Sequence, residues 1–177
     1  MEDGKILEKY LQEYLCAAES IKQLIKSKGF RFSYKKFVAD LGEYYFFQVC
    51  QSLFKTDSLK QSIRATASYD YEGIFHDKEL YKIFGDESMR IEVKTRYAQV
   101  YNPNLLGIKC DKFDVLAFVY LREDYSWQYI SLLRVEDIRP IVEATKKNRL
   151  VYKKDLPIIW QTGEFVRLKP SKKTNES

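Results

Sequence analysis

The run Asp114-Val115-Leu116-Ala117-Phe118-Val119-Tyr120-Leu121 constrains the fold more than any other stretch, because it is almost continuously apolar and rich in β-branched and aromatic residues. A strand of that make-up must be covered on both faces, so it belongs inside a sheet with helices on each side. Strand texture recurs at Ser62 to Tyr69, Tyr71 to Phe75, Arg90 to Thr95 and Trp127 to Leu132. The expected class is therefore α/β, with a central β-sheet flanked by helices. Val135 to Pro140 reads as a turn leading into a short helix that ends near Lys147. Residues 150 to 168 read as short strands around Pro157 and Thr162-Gly163.

Two helices precede the sheet. Over residues 5–27, Leu7, Leu11, Tyr14, Ala18, Ile21 and Ile25 recur at alternating spacings of four and three, and Lys28-Gly29 supplies a stop. The stripe suits packing on the protein's own core or a dimer seam, since its rhythm covers about three heptads. The second helix is expected from Ser33, as N-cap, to Phe54, and its many aromatic and aliphatic residues predict that it is largely enclosed. Glu43 sits in that apolar setting, on a face shared with Asp40, Phe47, Cys50 and Phe54. A carboxylate there needs a cation, a metal or hydrogen bonds to offset desolvation, and a structural salt bridge is the plain alternative.

The 177 residues fit one domain, residues 1–168, with 169–177 expected to be a disordered tail that has no apolar anchor after Leu168. A formal net charge of +5 suits a polyanionic partner. Cys16, Cys50 and Cys110 lie far apart with no CxxC pair, which predicts free thiols in a reducing compartment, the cytoplasm. The charged N-terminus lacks a signal-peptide core, and no window approaches the roughly 20 apolar residues of a membrane span, so no membrane association is expected.

The segments that carry chemistry are Tyr69-Asp70-Tyr71-Glu72-Gly73-Ile74-Phe75 and Arg90-Ile91-Glu92-Val93-Lys94-Thr95-Arg96. In an extended strand Glu92 and Lys94 emerge on one face and Ile91 and Val93 on the other. If the strand holding Asp70 pairs with it as a hairpin, a second carboxylate comes within reach. Two carboxylates with a backbone carbonyl and waters make a hard-oxygen site suited to Mg²⁺. Phosphodiester hydrolysis uses such an assembly, because a water must be activated and charge builds on the phosphate oxygens, where an adjacent lysine can help. Glu72 lies on the same strand face as Asp70 and is the rival ligand. Asp77 and Asp86 fall in the connection, where turn roles are expected.

These segments give the chain a resemblance, from about Ser33 to Leu132, to the PD-(D/E)XK nuclease superfamily, which includes many type II restriction endonucleases, Holliday-junction resolvases and some intron-encoded endonucleases. Tyr69 stands where the namesake motif has proline. The resemblance implies an α/β restriction-endonuclease-like core over about 33–132, with a central mixed β-sheet flanked by helices. It implies Asp70 and Glu92 as metal ligands with the Val93 carbonyl, Lys94 as the catalytic lysine, and Glu43 supporting the site. It further implies Mg²⁺, with Mn²⁺ able to substitute, and double-stranded DNA as substrate. The expected function is a type II restriction or mobile-element endonuclease. Cutting both strands calls for two copies, hence a homodimer, with the first helix as a candidate surface.

Thr95 to Asn104 is rich in groups that bond phosphates and base edges, and Arg96 and Gln99 are its candidate DNA contacts, with a polar loop as the other reading. Basic clusters at Lys26 to Lys36, Lys146 to Arg149 and Lys153-Lys154 suit backbone phosphate or simply a solvated face. The sole histidine, His76, excludes paired-histidine chemistry and Ser or Cys triads, and no GxxxxGK[ST] loop occurs. Two further readings stand beside the restriction-type enzyme: a structure-specific junction nuclease, and a non-catalytic DNA-binding or scaffold protein in which Glu92 and Lys94 form a structural ion pair.

Overall fold

Alternation and apolar runs organise the larger part of the molecule around one sheet. The computed structural model describes residues 2–27, 35–62, 69–98 and 102–170. The chain falls into two compact units, Met1–Lys36 and Phe37–Ser177. Helix α1 (Glu2–Ser27) makes up the first. It carries i,i+4 pairs along its surface, Lys9 with Glu13 at 3.8 Å and Gln23 Nε2 donating to Glu19 at 2.7 Å. Of its apolar stripe, the side chains of Leu7, Leu11, Ile21 and Ile25 lie outside the described residues, as do Lys28-Gly29 and Ser33.

Helix α2 (Lys35–Cys50) is followed by a single 3-10 turn, Gln51–Leu53. The helix thus stops short of the expected Phe54. Phe54 is extended and bridges Phe75 across to the next hairpin, because its ring stacks on Phe75 at 4.5 Å and buries better there than on a helix. Nor is α2 enclosed all round. Val38, Leu41, Phe46 and Cys50 form its buried stripe, while Lys36, Ala39, Asp40 and Gln48 are exposed.

Strands β1 (Lys60–Gln61) and β2 (Tyr71–Gly73) come next, then helix α3 (Lys78–Phe84) and strand β3 (Met89–Tyr97). The long strand expected over Ser62 to Tyr69 is not seen in its described part: the strand is Lys60–Gln61, Ser62 lies outside it and Tyr69 is in a bend. Asp77 is the N-cap of α3, its carboxylate accepting from the Glu79 N–H at 2.6 Å, so the hairpin connection is partly helical.

Strands β4 (Asn104–Leu105), β5 (Val115–Leu121) and β6 (Trp127–Arg134) follow, then α4 (Val135–Glu143), β7 (Leu150–Val151), α5 (Tyr152–Thr162) and β8 (Phe165–Leu168). The main sheet has the order β1-β2-β3-β5-β6-β8. It is mixed: β3 and β5 are parallel and the other pairs antiparallel. β4 and β7 form a separate two-stranded ladder. Six of the seven β5 residues are buried, as its apolar run requires, and Phe118 is fully so, a burial that stabilises by about 1.5–3 kcal/mol.

Two segments differ from the sequence expectation. Val135–Pro140 is helical and not a turn, because Val135, Ile138 and Val142 recur at helical spacing into the core and Glu136 and Asp137 favour the first turn. Residues 152–162 are a helix and not strands. Tyr152, Leu156 and Ile159 share its buried face, and Pro157 lies on the exposed one, where the missing N–H leaves no core donor unpaired. Asp155 holds the start of α5, its Oδ2 accepting the Val151 N–H at 2.7 Å from a buried position. Asp155→Ala is expected to lower stability by about 1–2 kcal/mol in urea titration. An unchanged midpoint would show that water replaces that contact.

These elements make three layers in the second unit. Gly42 of α2 meets Thr95 of β3, so α2 covers the face of Ile91, Val93 and Thr95. On the other face, Leu116 and Phe118 pack with Leu105, Ile108, Cys110 and Phe113, and with Ile138, Val142, Leu156 and Ile159 of α4 and α5.

Candidate active site

A local irregularity in the sheet lies where β2 separates from β3. The two pair from Gly73↔Met89 to Tyr71↔Ile91, and one step further the Asp70 N–H still donates to Ile91 O at 2.9 Å. There the backbone ladder ends. The next donor, the Val93 N–H, is taken at 2.7 Å by Asp70 Oδ2. A carboxylate thus occupies the position that a strand carbonyl would fill, and the sheet opens beside it. Both polar groups of a strand residue face the same neighbour, so the Val93 carbonyl is turned to the same opening.

β3 supplies the next two groups. Burial alternates along it, with Ile91, Val93, Thr95 and Tyr97 buried and Arg90, Glu92, Lys94 and Arg96 half-buried on the opposite face. Glu92 and Lys94 are joined as an ion pair, with side-chain exposures of only 15% and 26%. Asp70 lies one residue beyond the last register pair, Tyr71↔Ile91, and its carboxylate reaches β3 at the Val93 N–H. Glu43 enters from α2, one residue after the glycine that touches Thr95. Gln61 of β1 donates to Glu43 Oε2 at 3.4 Å, and the Tyr71 hydroxyl donates to the Glu43 carbonyl at 3.4 Å.

Electrostatics tie these groups into one cluster. Burial, then the charges of Asp70 and Asp40, push Glu43 up to about 7, against the hydrogen bond from Gln61. Burial also raises Asp70, opposed by the Val93 N–H and the Lys94 charge. Glu92 is raised by burial, with Lys94 opposing and Asp70 adding to the rise. Asp70 thus shares a field with Glu43, Glu92 and Lys94, and the Lys109 charge also reaches Glu92.

Carboxylate oxygens are the hard ligands that a divalent cation such as Mg²⁺ prefers. Among the described residues, no group of three or more His, Cys, Asp or Glu side chains is placed to hold a metal ion. Asp70 spends an oxygen on the Val93 N–H and Glu92 on Lys94, so an ion has to compete with both.

The remaining candidates are placed as follows. Glu72 is exposed and accepts from the Tyr69 hydroxyl at 3.2 Å. Arg96 shares the Glu92 and Lys94 face, but its guanidinium donates to Thr95 O at 2.9 Å and to Asn104 O, holding β4 beside β3, and burial lowers its pKa. Gln99 lies outside the described residues. His76 and Asp86 are exposed. Two neighbours of the cluster went unread in the sequence, Gln61 and Lys109, whose charge reaches Glu92. Neither has a spacing signal, because each arrives from a different turn of the chain.

The raised carboxyl of Glu43 gives a pH signature. Its folded pKa of about 7 exceeds the ordinary 4.5, so its contribution favours folding most below pH 4.5 and is lost as pH rises through about 7. Glu43→Gln is therefore expected to be more stable than the parent at pH 8, by about 1–2 kcal/mol after allowing for solvent screening, and to match it near pH 4. Urea midpoints at the two pH values check this, and an equal difference at both would refute the shared-field picture.

No family model matches the chain, and no curated protein matches it. A structural comparison pairs 82% of this chain with 84% of a bacterial homing endonuclease, I-Ssp6803I, at 11% sequence identity and a TM-score of 0.37, a likeness too loose to bear on chemistry. No helix among the described residues is long and apolar enough to cross a membrane.

Proposed function

We propose that this protein is a Mg²⁺-dependent endonuclease of the PD-(D/E)XK type that hydrolyses phosphodiester bonds in double-stranded DNA. One observation supports the reading: Asp70, whose carboxylate takes the Val93 N–H, shares one electrostatic field with Glu43, Glu92 and Lys94 where β2 leaves β3. A purely structural Glu92–Lys94 pair does not need Asp70 and Glu43 in the same field.

Asp70, Glu92 and the Val93 carbonyl are the groups that would hold the ion. When bound, Mg²⁺ supplies Lewis-acid neutralisation of phosphate charge and a lowered pKa for a coordinated water. Lys94 lies beside the Glu92 carboxylate with part of its side chain open to solvent, so its ammonium can contact a phosphate oxygen and stabilise charge that grows in the transition state. Glu43, pushed up to about 7, is poised to hold or give up a proton at neutral pH. Arg96 fixes the neighbouring β4 backbone and so the shape of the site's wall. A type II restriction or mobile-element enzyme acting as a homodimer fits a chain with this modest core.

Incubation with supercoiled and linear plasmid DNA in Mg²⁺ or Mn²⁺, with EDTA as control, tests the reading. Metal-dependent nicking or linearisation is expected. Binding without cleavage under every condition would favour the DNA-binding scaffold, and cutting confined to branched DNA would make it a junction nuclease.

A further inference from the structure

Beyond β4 the chain makes a tight excursion over the site face of the sheet. Gly107 turns it in the left-handed region, φ +67, with open space around its α-carbon. Ile108 returns to the core, its N–H donating to Asn148 O at 3.0 Å, and Cys110 is buried two residues on. Between these two anchors Lys109 is turned outward and is exposed. Ile108, Cys110 and Phe113 pack with Leu116 and Phe118, which are the β5 register partners of Glu92 and Lys94. The excursion is thereby held next to the candidate site.

Several cations nearby are already engaged. Lys94 is paired with Glu92, Arg96 with two backbone carbonyls, Arg90 with Asp114 at 2.7 Å, and Lys112 with Asp111 at 3.3 Å. Lys109 makes no ion pair among the described residues, although its charge is felt by both Glu92 and Asp111. A rigidly based, outward ammonium beside a carboxylate cluster has a use that the cluster itself lacks. It attracts a polyanion to a site whose own charge repels one.

We propose that Lys109 binds a backbone phosphate of the DNA strand next to the scissile one, as a substrate-positioning contact. This rests on the nuclease reading and adds to it the residue that overcomes the site's negative charge during docking.

The test uses the full chain and a fluorescein-labelled duplex oligonucleotide in Ca²⁺, with anisotropy followed from 50 mM to 200 mM NaCl, together with plasmid cleavage kinetics in Mg²⁺. Lys109→Ala is expected to weaken binding about three- to tenfold and to reduce the slope of log affinity against log salt by about 0.9, the value of one phosphate contact. Lys109→Arg is expected to restore the slope. In cleavage, KM should rise with kcat within about twofold, the mark of binding energy used equally in ground and transition states. Unchanged affinity and slope in Lys109→Ala, or a fall in kcat at constant KM, would overturn the proposal and leave the nuclease reading standing. A parent protein that neither binds nor cuts DNA would remove both.

Discussion

Replacing Lys94 by alanine is expected to reduce DNA cleavage by about 10²–10³-fold, with little loss of DNA affinity. In the proposed function the ammonium acts where charge develops on the phosphate, and removal of one such preorganised donor has an effect of about that size. Glu92→Ala should do at least as much, about 10³-fold, which corresponds to roughly 4 kcal/mol of transition-state stabilisation. Asp70 needs a different substitution. Its carboxylate accepts the Val93 N–H at 2.7 Å, so alanine there would also strip a backbone donor of its partner and cost about 1–3 kcal/mol of stability. Asp70→Asn keeps an acceptor and removes the charge, and so isolates the chemical role. Single-turnover cleavage rates with saturating Mg²⁺, beside thermal melts of each variant, measure both effects. Parent-like rates in all three would mean that the cluster has no part in hydrolysis.

The second large effect is expected from a residue with no side chain. A β-carbon built on Gly42 would stand 1.7 Å from Thr95 Oγ1 and 2.7 Å from Thr95 Cβ, far inside contact distance. Neither atom is the loose end of a long chain, because Thr95 is buried in the middle of β3. Gly42→Ala must therefore push α2 away from the sheet, at a cost of about 3 kcal/mol, the upper end for overpacking. The displacement would carry Glu43, the next residue, out of the field of Asp70 and Glu92, so cleavage should fall with stability. Combining it with Thr95→Gly removes the obstructing atoms and should recover much of the loss, a coupling that a double-mutant cycle reads directly. An additive double variant would show that the two positions do not touch.

Much of this arrangement was legible in the residues themselves. The apolar run of β5 announced a strand covered on both faces, and the alternation of Ile91, Glu92, Val93 and Lys94 fixed which side chains meet. The charge of Glu43 within aromatic surroundings marked it as unusual. What stayed hidden depended on partners far along the chain. Pro157 argued against a helix over residues 152–162, yet the buried spacing of Tyr152, Leu156 and Ile159 outweighs it, since the proline falls on the exposed face. Arg96 has the composition of a phosphate ligand, but the carbonyls of Thr95 and Asn104 claim its guanidinium. Gln61 and Lys109 reach the cluster only through folding, and no local pattern marks either.

The carboxylate that stands in for a strand carbonyl has one more implication. In most enzymes a reactive group can erode without harm to the scaffold, and a gene freed from selection for turnover loses such groups early. At position 70 the carboxylate proposed to hold the ion is also stitched into the ladder, since one of its oxygens closes a rung with Val93. Under the proposed function, drift there is restrained even in a copy without turnover, whereas Lys94 closes no rung and is held by its pair with Glu92.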